Sequence, residues 1–196
     1  LVNAAGAWAD ELAALAGAAP IGLVPKRRSA FTFTFDPAQS IEAWSTIIDI
    51  SEEFYFKPEA GKLLGSPADE TPSPPCDAQP EEIDIAIAID RITQAANIKV
   101  RSVDRKWAGL RSFVADKSPV VGYDDGVEDF FWLAAQGGYG IQTSPALART
   151  AAALARRETV PSDVASLGVT EACLAPGRLR RGRTQSINSS ATQKQG

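Results

Sequence analysis

FFWLAAQGGYGIQTSPALARTAAALARR, residues 130–157, runs through three kinds of local structure in succession. Phe130, Phe131, Trp132 and Leu133 form an apolar run that reads as a strand. Residues 144–157 are rich in alanine and read as a helix, with Pro145 suited to its first turn. Between the two lie Gly137, Gly138 and Gly140, which permit backbone conformations and close approaches barred to residues with side chains. They stand just before a helix whose first N–H groups lack partners inside it. A strand, a glycine turn and a helix in this order make either a packed corner or a cradle for a ligand carrying partial negative charge.

A second unit of the same kind opens the chain. Residues 1–5 read as a short strand, Gly6 as a tight turn, and residues 8–17 as a helix with Leu12 and Leu15 near helical spacing and Gly17 as its stop. After Pro20 the pattern changes. Phe31, Phe33 and Phe35 alternate with Thr32 and Thr34, the signature of a half-buried antiparallel strand. Residues 54–58 and 62–65 flank Glu59-Ala60-Gly61 and read as a hairpin, while 66–80 holds too many prolines for regular structure. Ile83, Ile85, Ile87 and Ile89 alternate as a strand would, yet residues 81–96 are read as a helix, because a long connection between strands needs one. Residues 98–103 and 107–114 read as two further strand segments, and 119–122 with 130–134 as a last pair around Asp124-Asp125-Gly126. Short elements follow residue 159, and 184–196 is polar enough to be disordered. The fold expected is therefore α/β with α+β, in which an α/β domain is interrupted by an antiparallel sheet with one helix.

Composition narrows the chemistry. With 196 residues and 44% hydrophobic content the chain can bury one sizeable core or two small ones. Its net charge of −4 gives no ground for nucleic-acid binding, and no run is long enough to cross a membrane. Cys76 and Cys173 are too few and too far apart for a disulfide framework or a thiolate metal site, so no metal is expected and a reducing cytoplasmic setting is the simplest fit. There is no histidine, which removes the commonest general base and every Ser-His or Cys-His nucleophile system from this chain. Methionine is also absent, even from position 1, and Leu1-Val2-Asn3 looks like a strand already under way; a partial sequence is expected. No cationic n-region marks a signal peptide.

Three further features could carry chemistry. Pro25-Lys26-Arg27-Arg28 is either a solvated basic turn or an anion site in which one guanidinium makes a paired contact with a carboxylate. Arg111, flanked by apolar residues in Trp107-Ala108-Gly109-Leu110-Arg111-Ser112-Phe113-Val114, needs an ion-pair partner or a ligand pocket. Tyr55 lies in an aromatic strand, where core packing competes with a binding role. A glycine loop leading into a helix could face phosphate, carboxylate or the pyrimidine edge of a flavin, and the glycines alone do not choose.

VNAAGAWADELAALAG at 2–17, PKRRSAF at 25–31, FYFKPEAGKLLGSPA at 54–68, WAGLRSFVADKSPVVGYD at 107–124 and FFWLAAQGGYGIQTSPA at 130–146 together resemble the C-terminal half of FAD-dependent oxidoreductases of the D-amino-acid oxidase superfamily. Within it they are most like the D-arginine dehydrogenase branch, flavin enzymes of broad D-amino-acid specificity. The likeness runs in order from Leu1 to about Arg181. It implies a Rossmann-like FAD-binding domain interrupted by a substrate domain with an antiparallel sheet. The implied boundaries are 1–20 and 107–160 for the FAD domain, 21–106 for the substrate domain, 161–183 for a C-terminal extension and 184–196 for a tail. A GxGxxG pyrophosphate loop is expected upstream, since this chain contains none.

The resemblance also implies roles. Arg111 and Arg28 would pair with the α-carboxylate of a D-amino acid, Tyr55 would hydrogen-bond the same group, and the Gly138 carbonyl would face the substrate amine, with Gln142 at the same edge. Gly137, Gly138, Tyr139, Gly140, Ile141, Gln142 and Thr143 would lie along the flavin, Gly109 beside it, and Ala5, Gly6 and Trp8 would approach FAD from the other side. No catalytic base is needed if the Cα hydrogen leaves as hydride to flavin N5 and the imino acid hydrolyses to a 2-oxo acid and ammonia. Oxidation of glycine, sarcosine or another amine by oxygen, and a catalytically empty remnant, are the alternatives.

Overall fold

The computed structural model describes residues 1–36 and 40–180. They form two compact units, one built from residues 1–25 with 111–180 and the other from residues 26–110. Among the described residues no helix is long and apolar enough to cross a membrane. The tail expected at 184–196 lies outside the described residues.

The first unit is a three-layer α/β arrangement. Strand β1 (Val2–Asn3) pairs in parallel with β9 (Phe131–Ala134), which pairs antiparallel with β8 (Val120–Tyr123), giving the order β1-β9-β8. The run from Phe130 to Ala134 serves both faces of this sheet. Phe130, Trp132 and Ala134 pack with Ala9 and Ala13 of helix α1 (Ala9–Leu15), while Phe131 packs with Ala151 and Leu154 of helix α3 (Gly140–Ala155). A strand covered on both sides has no polar face to show, which is why this stretch has no alternation. Helix α1 is shorter than expected and is preceded by a 3₁₀ turn at Gly6–Trp8. Its buried face is made of alanines, with Leu15 87% exposed, because only small side chains let the helix approach the aromatic rings of β9. Gly17, at φ +77°, ends it as expected.

The second unit is an antiparallel sheet with one helix. Strand β2 (Val24–Asp36) buries Phe31, Phe33 and Phe35 on one face, as their alternation requires. Strands β3 (Ile47–Ile48), β4 (Tyr55–Glu59), β5 (Lys62–Ser66), β2 and β6 (Thr71–Pro72) follow one another across the sheet, and β7 (Lys99–Phe113) also pairs with β2. Ala60 and Gly61 both adopt positive φ between β4 and β5, the backbone of a two-residue turn whose twist matches the flanking strands. Residues 66–80 are less irregular than expected, since Thr71–Pro72 forms an edge pairing with Lys26 and Arg27. The two strand segments expected at 98–103 and 107–114 are one strand. Gly109 has open space where a side chain would be, and it passes through the strand without breaking it.

The ambiguous isoleucines belong to helix α2 (Glu82–Ala96), closed by Asn97 in the left-handed conformation at φ +49°. Ile85, Ala88 and Ile92 face the phenylalanines of β2 at helical spacing, and Ile83 is left 61% exposed. The fit is tight at Gly65, where a methyl group would meet Phe31 Cζ at 2.8 Å, Ile92 Cδ1 at 3.0 Å and Phe33 Cε1 at 3.1 Å. All three neighbours are fully buried and have nowhere to move. Gly65→Ala is therefore expected to destabilise this unit by about 1–3 kcal/mol, read as a lower denaturant midpoint with an unchanged slope.

Candidate active site

The glycine segment between β9 and α3 is built from both sides. Ala135 and Gly137 both have positive φ, +61° and +57°, so the chain reverses sharply after the sheet. The Gly137 N–H donates to the Ser112 carbonyl at the end of β7 (3.0 Å), and a methyl on Gly137 would meet the Phe113 ring at 2.7 Å. A methyl on Gly138 would stand 3.0 Å from Arg111 Nη1 and 3.7 Å from its Cζ. The guanidinium thus lies along the bare backbone of Gly138. Arg111, half-buried, has no ion-pair or hydrogen-bond partner among the described residues.

The helix begins earlier than the position of Pro145 suggests. Thr143 N donates to the Tyr139 carbonyl (2.9 Å), so Gly140, Ile141, Gln142 and Thr143 are the first turn of α3 rather than a loop, and Pro145 is interior. Proline there removes the N–H that would pair with the Ile141 carbonyl. The Ser144 hydroxyl replaces it, donating to that oxygen at 2.8 Å. Tyr139, at the N-cap, makes no side-chain capping bond, and the first turn holds no acidic residue. The N–H groups of this turn have no acceptor within the helix, so its positive end is presented to whatever lies ahead. Tyr139 is 62% and Ile141 92% exposed, with Gln142 and Thr143 also exposed.

At the other glycine turn, Ala5 N–H donates to Asn3 Oδ1 (3.3 Å), and Asn3 Nδ2 donates to the Ala9 carbonyl (2.8 Å). Asn3 is fully buried and ties β1 to the start of α1, with Gly6 at φ +58° between them. Trp8 projects outward, 45% exposed. Sequence reasoning passed over Asn3, although a polar residue inside an apolar strand is the signal that would have found it.

In the second unit the pleat separates β2 into two faces. Odd-numbered residues face α2, and Arg27 there binds Asp84 (2.7 Å), Asp69 (3.4 Å) and Glu81. Arg28 falls on the opposite face. The register places Tyr55 opposite Ser66, while Phe56 points to the helix side, so Tyr55 shares the face of Arg28. Arg28 is strand rather than turn, and its Nη2 lies 3.4 Å from the 44%-exposed Glu70 carboxylate. The structure thus brings Arg111 to Gly138 in one unit and puts Arg28 and Tyr55 on a common sheet face in the other, the unit that also contains Gly109.

A family model described as FAD dependent oxidoreductase, DAO, matches residues 1–154. The chain belongs to this family. Among solved structures, it is similar to L-proline dehydrogenase from P. horikoshii, with 23% identity over 92% of this chain and 47% of that one and a TM-score of 0.72. Glycine oxidase from Geobacillus kaustophilus has 22% identity over 80% of this chain and 41% of that one, at a TM-score of 0.65. Reduced L-alpha-glycerophosphate oxidase from Mycoplasma pneumoniae with FAD bound has 19% identity over 79% and 42%, at 0.68. The chain spans less than half the length of these three proteins, and at such identities the likeness is one of fold. The cofactor of the family is FAD. The residues present fit its isoalloxazine: a backbone made bare by glycine, a positive helix end without a cap, and a second glycine turn held by Asn3.

Proposed function

We propose that this chain is part of an FAD-dependent dehydrogenase that deaminates D-amino acids, cationic ones such as D-arginine included, to 2-oxo acids and ammonia. The observation that carries the reading is Arg111, a half-buried guanidinium laid on the Gly138 backbone with no partner of its own among the described residues. A planar fork in that position suits a carboxylate, which it can hold by two parallel hydrogen bonds. Gly138 offers its carbonyl to the amine of the same ligand, and Arg28 and Tyr55 are assigned as further carboxylate contacts, with Gln142 at the ligand's edge. Residues 1–20 and 107–160 are assigned to the flavin-binding part and 21–106 to the substrate part. Ala5, Gly6, Trp8, Gly109 and residues 137–143 would hold the flavin, with the open end of α3 favouring negative charge on it.

Bound FAD supplies a hydride acceptor at its N5 atom. The protein groups act by position: Arg111 anchors one end of the ligand and Gly138 the other, which fixes the direction in which the Cα hydrogen points. No histidine is required for this, and the chain has none.

The test is anaerobic titration of the FAD-loaded protein. D-Arginine is expected to bleach the visible flavin absorbance and L-arginine to leave it, with 2-oxo acid and ammonia formed in equal amounts. Bleaching by glycine or sarcosine alone would place the activity among amine oxidations, and no bleaching by any D-amino acid would reject the reading.

A further inference from the structure

The last three residues of β7 each address the glycine segment by a different means. Arg111 lays its guanidinium on Gly138, Ser112 accepts the Gly137 N–H at 3.0 Å, and Phe113 fills the space where a Gly137 side chain would be. A methyl on Gly137 would lie 2.7, 3.0 and 3.4 Å from Phe113 Cε1, Cδ1 and Cζ, so the ring rests directly on the Gly137 backbone. Phe113 is buried, 7% exposed, with the buried Val114 following it and Ser112 before it. A buried aromatic ring makes a firm stop. Gly137 cannot settle closer to β7, because the ring blocks it, and cannot move away without losing the Ser112 bond.

We propose that Phe113 is a positioning residue: it sets the spacing between the Arg111 guanidinium and the Gly138 carbonyl, and so the span between carboxylate and amine that the site accepts. This rests on the assignment of Arg111 to the carboxylate. Phe113 itself touches neither ligand nor flavin in this scheme and acts through Gly137. Removing the ring leaves the Ser112 bond as a hinge about which the loop tilts, so the carboxylate and amine are held less well in ground state and transition state alike, and KM is the parameter that moves most.

The experiment compares Phe113→Ala and Phe113→Leu with the wild type, all loaded with FAD, using D-arginine as substrate. Phe113→Ala is expected to raise KM roughly tenfold while kcat changes less than about threefold, with Phe113→Leu between the two. An unchanged KM in a folded, flavin-loaded Phe113→Ala protein would overturn the proposal, as would equal falls in kcat and FAD content with KM constant. Should Phe113→Ala not fold, Gly137→Ala puts the strain in from the other side. Its KM is expected to rise, and the double variant Gly137→Ala with Phe113→Leu to recover part of the loss; absence of recovery would also overturn the proposal. Arg111→Ala separates this failure from that of the underlying reading. A raised KM there beside an unmoved KM in the Phe113 variants sinks the positioning role alone, whereas an unmoved KM in Arg111→Ala sinks the carboxylate assignment.

Discussion

Arg111→Ala in the FAD-loaded protein should lower kcat/KM for a D-amino acid by about 100- to 1000-fold, with flavin content unchanged. The size follows from what the side chain is assigned to do. Truncating one member of a hydrogen-bonded, desolvated charge pair costs about 2–5 kcal/mol, much of it from the partner left behind without its counter-charge. A change of 100- to 1000-fold corresponds to about 3–4 kcal/mol of lost transition-state stabilisation. Flavin retention is expected because Gly137 keeps its bond to Ser112, so the loop retains its main-chain anchor. Arg111→Lys should recover only part of the activity, since an ammonium is a point charge and loses the paired geometry. Steady-state kinetics with D-arginine, together with the flavin-to-protein absorbance ratio, checks both halves of the expectation.

The second large effect is on stability. Asp124 has 1% of its side chain exposed and collects four donors: Trp132 Nε1 (2.9 Å), Arg180 Nη2 (2.6 Å), and the N–H groups of Gly126 (2.8 Å) and Val127 (3.1 Å). It therefore joins the β8–β9 connection, the largest aromatic ring of the sheet and the end of the described chain. Asp124→Ala leaves the indole N–H without its acceptor and takes the buried carboxylate from Arg180, which keeps the Ala19 carbonyl, at a cost of about 3–5 kcal/mol. In a protein of this size the apparent Tm should fall by roughly 10 °C, measured by circular dichroism at pH 7. Burial pushes the Asp124 carboxyl upward, but the hydrogen bonds from Arg180, Trp132 and Gly126 and the charge of Arg180 outweigh it, and its pKa is lowered. A carboxyl depressed in the folded state contributes its stabilisation in full above the unfolded value of about 3.9 and loses it as pH falls through the folded value. The gap in Tm between wild type and Asp124→Ala should accordingly be constant from neutral pH down to about pH 5 and narrow below about pH 4. Asp116 follows the same direction, its pKa lowered first by the hydrogen bond from Arg178, so the wild type itself weakens over the same acid range.

Local chemistry made much of the fold legible. The period-two phenylalanines of β2, the Ala60-Gly61 turn and the apolar run from Phe130 each admit few alternatives, and all three were read correctly. The first turn of α3 was misread because Pro145 is the best-known mark of a helix start. Here Ser144 satisfies the carbonyl that proline leaves open, and the helix extends back to Gly140. Leu12 and Leu15 misled for a related reason: helical spacing identifies a face but not its depth, and a close approach to aromatic rings selects alanine. The site was legible only in outline. Arg111 among apolar neighbours announced a need for a partner, and Gly137 and Gly138 announced a bare backbone. That the two meet depends on the segment after β9 lying beside the end of β7, where the Gly137 N–H donates to the Ser112 carbonyl, a long-range contact that no local pattern encodes. Arg27 and Arg28 show the same limit. Adjacent and chemically alike, they are separated by the pleat into an arginine bound by three carboxylates and one on the opposite face.

The parallel pairing of Val2 with Phe131 joins positions more than 120 residues apart, while residues 26–110 make a unit from one uninterrupted stretch. On a ribosome these two units therefore become able to fold at different times. The uninterrupted one has every residue it needs once position 110 has emerged, but the other must hold its first strand without a partner until β9 is made. Closing so long a loop is far cheaper once the intervening segment is already compact, because the ends then search over fewer conformations. An inserted unit that folds first therefore shortens the search that brings β1 and β9, each followed by a glycine turn, into one sheet.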